Sequence, residues 1–327
     1  MNAILGKGLL VVVAAAAALF VGGCAPTRLL PSDYDQTSPA TKGTTVVWED
    51  SRNEETAGTD VYMYDTGSET EQLVAGGQGD QDQPAVSDSY IAWLDDGRLR
   101  AKNRSSGQVI SVTTGPGPHV DPVLCGSVVA WTESRNGSSN VYARDLAGGS
   151  EIGVATSSAT EAYPDCDAGR VVYMRSSATE WAGIRLYDVS SGQTTTVTDK
   201  SWNEWRPAIS GNRVVWQAWP NQADPSSDIQ IRGKDLNTGD SFDVTNGPGN
   251  QTSPVISGSV VAWEDARDPD ETRMWWRDLA TTTAEKPTDT ISFGAQQAPA
   301  LSGRGLVYQS NPTGAWNVYQ IPLLRGT

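Results

Sequence analysis

One pattern recurs seven times along the 327-residue chain: a proline is followed nine residues later by a tryptophan or tyrosine that ends a short apolar run. Gly or Asp stands four residues after the proline in six copies, and the copy at Pro164 has Ala168 and then Gly169 instead. Repetition at intervals of 38 to 47 residues predicts a repeat architecture. The seven pairs are Pro39 and Trp48, Pro84 and Trp93, Pro122 and Trp131, Pro164 and Tyr173, Pro207 and Trp216, Pro254 and Trp263, and Pro299 and Tyr308.

Each copy is predicted to begin with a hairpin. A first strand such as Pro207–Ser210 reaches a turn at Gly211-Asn212, where residues that tolerate positive φ are favoured, and a second strand ends at Trp216. A third strand follows in segments such as Asp60–Asp65, and a fourth follows a glycine-containing turn, as at Thr195–Thr198. Four short antiparallel strands in each repeat predict an all-β fold, a seven-bladed β-propeller.

The two ends of the chain predict how the ring closes. The seventh copy stops soon after its third strand, and Thr27–Leu30 precedes Pro39 by about the distance that fourth strands elsewhere precede the next proline. We therefore expect this N-terminal segment to form the outer strand of the last blade, which removes exposed sheet edges. A linear solenoid is the alternative architecture, although solenoids usually have shorter coils and dedicated caps.

The N-terminus has the features of a secretory signal: Lys7, an apolar run from Leu9 to Val21, and two glycines before Cys24. The cysteine after two small residues resembles a bacterial lipobox, which implies cleavage before Cys24 and a diacylglycerol on its sulfur. An ordinary signal peptide or an uncleaved anchor are the alternatives. The expected organisation is a lipoprotein signal peptide at 1–23, lipidated Cys24 with a short tether and closing strand at 24–38, and the propeller at 39–327.

The repeats resemble the TolB-type propeller repeats of bacterial and archaeal cell-envelope proteins. The matching segments are Trp48–Arg52, Asp60–Asp65, Arg206–Gly211 and Trp263–Arg267, and the resemblance covers about residues 27 to 327. It implies the propeller architecture and a cell-envelope setting. TolB itself has an additional N-terminal α/β domain and six blades, so the resemblance does not extend to its role in the Tol–Pal system.

The sequence contains few of the residue patterns that catalysis requires. His119 is the only histidine, which excludes centres with several histidine ligands, and no nucleophile elbow, phosphate-binding loop or Cys-x-x-Cys pair occurs. Clustered acids at Asp80–Asp82 and Asp265–Glu271 raise calcium as a possibility, but neither has EF-hand spacing. We therefore predict no metal, no cofactor and no enzymatic activity, while a pair of carboxylates remains the open catalytic alternative.

Tryptophan is abundant, with 12 Trp against 3 Phe. Those at the repeated second-strand position are predicted to pack blade against blade, and Trp275 and Trp276 lie in a third strand. The other five are predicted to lie in loops on one face of the propeller, where they would form a ligand face or fold back between blades. These five are Trp181, Trp202, Trp205, Trp219 and Trp316.

Two further sets of residues follow from the repeat. Seven polar residues stand three positions before the prolines, and they would either ring the mouth of the central channel or tie neighbouring blades together by hydrogen bonds. They are Gln36, Gln81, His119, Glu161, Glu204, Gln251 and Gln296. Cys125 and Cys166 fall on first strands of adjacent blades and could form a disulfide in an oxidising compartment, although their register differs by one residue.

The sequence as a whole predicts an exported lipoprotein facing the periplasm or cell exterior, whose propeller binds or assembles an envelope protein or glycan without catalysis. A carbohydrate-active hydrolase that uses two carboxylates at the channel mouth, such as Glu161 and Glu204, is the alternative. The net charge of −15 disfavours nucleic acid and anionic lipid as partners, so the lipid on Cys24 is expected to provide the membrane attachment.

Overall fold

The computed structural model describes residues 26–113, 117–135, 137–199, 202–220, 227–281, 284–288, 294–312 and 314–323. These residues form seven four-stranded antiparallel sheets. The first strands of the sheets contain the repeat prolines: β2 (Gln36–Lys42), β6 (Gln81–Val86), β10 (His119–Cys125), β14 (Thr160–Asp167), β18 (Asn203–Ser210), β22 (Gln251–Ser257) and β26 (Gln296–Ser302). The second strands contain the repeat aromatics: β3 (Thr45–Asp50), β7 (Tyr90–Asp95), β11 (Val128–Arg135), β15 (Arg170–Ser177), β19 (Arg213–Trp219), β23 (Val260–Asp265) and β27 (Gly305–Ser310).

The third and fourth strands complete each sheet on its outer side. The third strands are β4 (Asp60–Asp65), β8 (Arg98–Asn103), β12 (Ser138–Asp145), β16 (Glu180–Asp188), β20 (Gln230–Asp235), β24 (Arg273–Asp278) and β28 (Asn317–Pro322). The fourth strands are β5 (Thr70–Ala75), β9 (Val109–Ser111), β13 (Glu151–Ala155), β17 (Gln193–Thr196), β21 (Ser241–Asp243), β25 (Lys286–Pro287) and, in the seventh sheet, β1 (Thr27–Arg28).

The sheets are the blades of a seven-bladed β-propeller, numbered here from the one that starts at β2. First strands of successive blades contact one another around the whole ring, and β26 of blade 7 contacts β2 of blade 1. A hydrophobic cluster fills each of the seven junctions between blades. The repeat aromatics lie in these clusters, and Trp131, Trp263 and Tyr308 are completely buried. The ring confirms the predicted propeller and excludes a linear solenoid.

The predicted closure by an N-terminal strand is also confirmed. Strand β1 pairs antiparallel with β28, so that Thr27 lies opposite Gln320 and Arg28 lies opposite Tyr319. The backbone N–H of Leu29 donates to the carbonyl of Val318 at 3.0 Å, which extends the pairing by one residue. The outer edge of blade 7 is therefore paired by a segment almost 300 residues distant in sequence.

Every first strand contains a β-bulge at the residue before its proline. The residue has positive φ in all seven blades, between 48° and 55°, and the strand register shifts there. A residue before proline ordinarily has an extended backbone, so the bulge was not apparent from the repeat. The seven bulge residues are Ser38, Gln83, Asp121, Tyr163, Arg206, Ser253 and Ala298, and the last five line one cavity enclosed by the first strands.

The predicted signal peptide and Cys24 lie outside the described residues. Within the described part of the chain, no helix has the length and apolar character needed to cross a membrane.

Candidate binding pocket between blades 4 and 5

The five tryptophans predicted to lie in loops are all half-buried in the structure. The loop assignment is wrong for three of them, because the strands of blades 4 and 5 extend further than the repeat suggests. Trp181 lies in β16, Trp205 lies in β18, and Trp219 ends β19. Trp202 and Trp316 directly precede β18 and β28.

Two of the five, Trp205 and Trp219, line a cavity of about 570 Å³ together with Tyr163. The cavity opens on the face where first strands begin, second strands end and third strands begin, which we call the entry face. Because strands alternate in direction within a blade, residues from these three places come together on that face. The wall beside the aromatics is apolar and consists of Met174, Ala182 and Ile229.

Polar side chains complete the wall, and none of the lining residues that the structure describes is charged. The side-chain oxygen of Asn203 accepts a hydrogen bond from the N–H of Ala182 at 3.2 Å, and that of Asn250 accepts one from the N–H of Ile229 at 2.9 Å. Both amide oxygens are thereby used by backbone groups, and no hydrogen bond from either amide nitrogen is found within the described residues. Ser176 and Ser227 also line the cavity.

The pocket occurs at a junction where a repeated polar contact is missing. In blades 1, 5, 6 and 7 the residue after the repeat aromatic is Glu or Gln, and its side chain accepts a hydrogen bond from the N–H before the next proline. Glu264, for example, accepts from Ala298 at 2.9 Å. In blade 4 this position is Met174, whose side chain cannot replace that contact and lines the cavity instead.

The remaining tryptophans of the set lie outside the pocket. The Arg232 guanidinium lies 4.6 Å from the centre of the Trp202 ring, and Trp202 packs on the hydrophobic cluster between blades 4 and 5. The backbone of Trp316 ties blade 7 to blade 1, since its carbonyl accepts from the N–H of Gln36 at 2.8 Å. Trp181 is on the entry face but does not line the cavity.

The seven polar residues three positions before the prolines are all buried, with at most 3% of each exposed, so they do not form a collar at an open channel mouth. Some of them instead form hydrogen bonds between blades, which was the alternative interpretation. Gln296 accepts from the N–H of Met274 in blade 6 at 2.7 Å, and Gln36 accepts from the N–H of Val318 in blade 7 at 3.4 Å. Gln81 and Gln251 donate to backbone carbonyls of the segments that precede them.

His119, Glu161 and Glu204 are held in the same buried position by different contacts. The Nδ1 of His119 lies 2.6 Å from the carbonyl of Gly97, and its Nε2 lies 3.4 Å from the Glu133 carboxylate. The Glu161 carboxylate accepts from the backbone N–H of Ser157 and from the amide of Asn140. Both glutamates are 1% exposed, so this pair cannot reach the two sides of a glycosidic bond.

Burial strongly affects Glu204. It raises the pKa of this carboxyl to about 7, and weaker favourable contacts with Thr198 and Trp216 only partly oppose the rise. The charge of Asp199 raises it further. Glu204 therefore changes its protonation state near neutral pH.

The central channel is a second cavity, of about 610 Å³, and its lining includes Asp121, Asp165, Arg206 and Glu264. Burial raises the pKa of Asp121, an effect that the positive charge of Arg206 opposes. Burial also raises the pKa of Asp165 to about 6, although its carboxylate accepts a 2.7 Å hydrogen bond from the N–H of Ile209 in blade 5. The channel is thus lined by side chains of both charges, unlike the pocket.

Cys125 and Cys166 form a disulfide between β10 of blade 3 and β14 of blade 4, with Cα atoms 5.7 Å apart. The bond joins the blades despite the one-residue difference in register. At this junction the repeated contact from a Glu or Gln side chain is also missing. Blade 3 has Thr132 at the position of the acceptor, and the N–H that other blades would bind there is that of Tyr163.

The described residues contain no group of three or more His, Cys, Asp or Glu side chains arranged to hold a metal ion. The acidic segment considered for calcium in blade 6 is used by ion pairs. Asp265 binds Arg267, while Asp268 and Glu271 bind Arg273.

No protein-family model and no curated protein sequence matches this chain. Solved structures do. An oligogalacturonate lyase in complex with manganese is 14% identical, with 92% of this chain and 93% of that chain covered and a TM-score of 0.67. The β-propeller domain of the Trilobed protease from Pyrococcus furiosus is 10% identical, with 88% and 95% covered and a TM-score of 0.69. A putative TolB from Agrobacterium tumefaciens is 15% identical, with 81% and 98% covered and a TM-score of 0.55.

The chain has a β-propeller fold, and TolB proteins are among the solved propellers that it resembles. At these identities the likeness concerns the fold alone, and the fold is shared by proteins described as lyases, proteases and TolB. A propeller with this architecture fits a binding module, but its function has to be argued from its own side chains.

Sequence reasoning identified Trp205 and Trp219 but missed the rest of the pocket. In the repeat pattern, Tyr163 is only the residue before a proline, and Met174 is only the residue after a repeat aromatic. The usable signal was the departure from the repeat: four blades carry Glu or Gln after the repeat aromatic, whereas Met174, like Leu94 and Thr132, does not. Asn203 and Asn250 belong to segments whose lengths vary between blades, so no periodic pattern identified them.

Proposed function

We propose that this protein is an exported lipoprotein, anchored through a diacylglycerol on Cys24, that binds a partner of the cell envelope through the pocket between blades 4 and 5. In this proposal the propeller is a non-catalytic binding or assembly module that faces the periplasm or the cell exterior. The observation that carries it is the cavity lined by Trp205, Trp219 and Tyr163. Binding sites are commonly concave and largely apolar, with a few polar groups that orient the ligand.

The half-buried aromatic side chains of the pocket are suited to binding. A fully buried tryptophan stabilises the fold, whereas Trp205 and Trp219 retain accessible ring surface that a ligand can remove from water. Aromatic residues of this kind dominate the binding energy of many interfaces. The seven-fold ring provides a rigid support for them.

Catalysis is not part of the proposal. The two glutamates considered for glycoside hydrolysis are buried. The described residues of the pocket wall include the hydroxyls of Ser176 and Ser227 but no His, Asp, Glu or Lys that could activate them as a base. We therefore expect no release of new reducing ends when oligosaccharides are incubated with the protein. A measurable rate that disappears in the variants Asp121→Asn or Asp165→Asn would instead indicate catalysis in the channel.

Co-purification tests the binding role. The full-length protein is extracted with mild detergent, and its partners are compared with those of the double variant Trp205→Ala/Trp219→Ala. The expected result is loss of the partner from the double variant but not from Trp181→Ala, which removes a half-buried tryptophan of the same face outside the pocket. Equal recovery from the double variant and the wild type would contradict the proposal.

Membrane attachment is tested separately. The variant Cys24→Ser cannot accept the thioether-linked lipid, and we expect the protein to leave the membrane fraction. Partner binding by the pocket should persist, because the pocket lies between blades 4 and 5 whereas β1, the first described strand, belongs to blade 7.

A further inference from the structure

The pocket between blades 4 and 5 has a lining that restricts the chemistry of its ligand. We propose that it is a saccharide-binding site for an uncharged pyranose ring of an envelope glycan. This inference rests on the proposed binding function and names the class of ligand that the same site takes.

The lining of the pocket differs in charge from the protein as a whole. The chain has a net charge of −15, but none of the described residues that line this cavity is Asp, Glu, Lys or Arg. Among these lining residues, an anion such as a phosphate or a uronate would find no cation to neutralise it, and a cation would find no carboxylate. The channel differs, since Asp121, Asp165 and Arg206 line it. The described part of the pocket wall therefore favours a neutral ligand.

The pocket combines aromatic rings with side-chain amides, and a sugar needs both. A pyranose has an apolar face of C–H groups and an edge of hydroxyl groups, so a complementary site needs both a ring surface and hydrogen-bonding groups. Trp205, Trp219 and Tyr163 supply the first. Asn203 and Asn250 supply the second, because their oxygens are engaged by the backbone and their amide nitrogens can donate to a hydroxyl oxygen.

Hydrogen bonds within the protein fix the orientation of the pocket side chains. The N–H of Ala182 orients the Asn203 amide, and the N–H of Ile229 orients the Asn250 amide. The indole N–H of Trp219 donates to the carbonyl of Ser227 at 2.9 Å, which fixes the plane of that ring. Groups whose orientation is set before the ligand arrives lose little conformational entropy on binding. A volume of about 570 Å³ lies within the range of small-ligand sites and accommodates one or two sugar rings.

A binding panel with the full-length protein tests the inference. The probes are the neutral disaccharides chitobiose, cellobiose and maltose and the anionic digalacturonate, with calorimetry and tryptophan fluorescence as the measurements. We expect at least one neutral disaccharide to bind and to change the fluorescence, and we expect digalacturonate not to bind. The affinity should fall about tenfold or more in Trp205→Ala and in Trp219→Ala, as expected when an aromatic contact is lost.

The variant Trp181→Ala is the matched control, and its affinity should equal that of the wild type. Circular dichroism and thermal unfolding of each variant establish that the fold is retained. Failure of all three neutral disaccharides to bind at millimolar concentration overturns the saccharide assignment, as does digalacturonate binding as tightly as they do. Neutral binding that is unchanged in both pocket variants overturns the location.

The inference and the proposed function fail in different ways. If no disaccharide binds, but a protein partner co-purifies with the wild type and not with Trp205→Ala/Trp219→Ala, the pocket is a protein-binding site and only the saccharide assignment is wrong. If the partner is also retained by the double variant, the binding function of the pocket is wrong as well.

Discussion

The indole N–H of Trp263 donates a 2.9 Å hydrogen bond to the carboxylate of Asp265, two residues further along the same strand. The same carboxylate accepts two hydrogen bonds from the Arg267 guanidinium, which lies 3.6 Å from the centre of the Trp275 ring. A third contact of Arg267 reaches Glu285. One arginine thus joins the second strand of blade 6 to the third strand and to the segment leading into the fourth.

The arrangement recurs in blades 1 and 3, where an aromatic and an acid at alternate positions of the second strand are again followed two residues later by an arginine. The residues are Trp48, Asp50, Arg52 and Tyr62 in blade 1 and Trp131, Glu133, Arg135 and Tyr142 in blade 3. We call each set an arginine cage. Because each carboxylate is almost completely buried, it depends on the hydrogen bonds from its tryptophan and its arginine for stabilisation.

Removal of the acid from one cage should be strongly destabilising. The variant Asp265→Ala leaves the Trp263 indole N–H without its acceptor and removes the buried partner of Arg267. We expect the free energy of unfolding to fall by about 3 kcal/mol, as is typical when one member of a buried ion pair is deleted. Chemical denaturation measures this. The control Asp243→Ala removes an exposed partner of Arg232 and should cost less than about 1 kcal/mol. Equal losses would contradict the role of the cage.

The cages also predict how stability changes in acid. Burial alone would raise the pKa of Asp50, but hydrogen bonds from Arg52 and Trp48 outweigh it and lower the pKa below 3.8. The folded state therefore holds this carboxylate ionised more strongly than the unfolded state does, and the resulting stability is present at neutral pH and lost as pH falls below about 4. In Asp50→Asn, unfolding free energy should be lower than wild type at pH 7 and should fall less steeply between about pH 5 and pH 2.

Glu204 should behave in the opposite way. Burial raises its pKa to about 7, so the folded state retains the proton while the unfolded state releases it near pH 4.5, and stability falls as pH rises between these values. Four blades carry Gln at the equivalent position. Glu204→Gln should therefore stabilise the protein at pH 8 by about 1–3 kcal/mol, and the gain should shrink toward pH 5.

Glu161→Gln is the matched control for Glu204→Gln. The Glu161 carboxylate accepts hydrogen bonds from Asn140 and Ser157 and lies 3.6 Å from Arg175, so an amide in its place should be destabilising at pH 8. Thermal unfolding of both variants across pH provides the comparison. A gain in both variants would show that loss of charge as such, and not the specific environment of Glu204, sets the result.

The fold was predictable because each repeat is locally consistent. The spacing from Pro254 to Trp263 indicates two strands joined by a turn, and the seven copies of this spacing predict seven blades. The closing strand was predictable because a missing fourth strand has to be supplied from elsewhere if no edge is left open. What the repeat could not reveal was the conformation of the residue before the proline, since its positive φ opposes the ordinary preference at that position.

The site was less predictable because it depends on departures from the repeat. The repeat alone could not decide whether the polar residues before the prolines form a collar or tie blades together by hydrogen bonds. In the structure His119 and Glu204 are buried, while Asp121 and Arg206, two residues further along, have positive φ at the bulge and line the channel. Whether Trp205 is accessible depends on the size of its neighbours in blade 4, including Met174 and Ala182. Those contacts are between residues about 20 to 30 positions apart and carry no signature in a local pattern.

The disulfide between Cys125 and Cys166 should stabilise the ring at the junction of blades 3 and 4. It closes a segment with a sequence separation of 41, and a cross-link of that span contributes about 3–4 kcal/mol if the loss of entropy in the unfolded chain dominates. Cys125→Ser, Cys166→Ser and the double variant should therefore show the same reduced melting temperature, equal to that of the wild type unfolded in a reducing agent. A reducing agent should not change the double variant, and mass spectrometry of the untreated wild type should find the two cysteines linked.

Strand β1 should be required for a monomeric propeller. Without it, the third strand β28 would present unpaired backbone groups at the edge of blade 7, and Leu29 and Leu30 would no longer cover the cluster around Val307 and Val318. An exposed edge of this kind pairs readily with other chains. A protein that starts at Gln36 should therefore melt at a lower temperature and form dimers or larger species as its concentration increases.

The matched control is a protein that starts at Pro26, which lacks the predicted signal peptide and lipidation site but keeps β1. Light scattering and sedimentation should find it monomeric at concentrations where the shorter protein associates. A synthetic peptide covering residues 26–35 should restore the melting temperature of the shorter protein, because β1 pairs through its backbone and Arg28 binds Asn317 through two hydrogen bonds. The same peptide with Arg28→Ala should be less effective. If both truncated proteins are monomeric and equally stable, the closing strand does not contribute to the integrity of the ring.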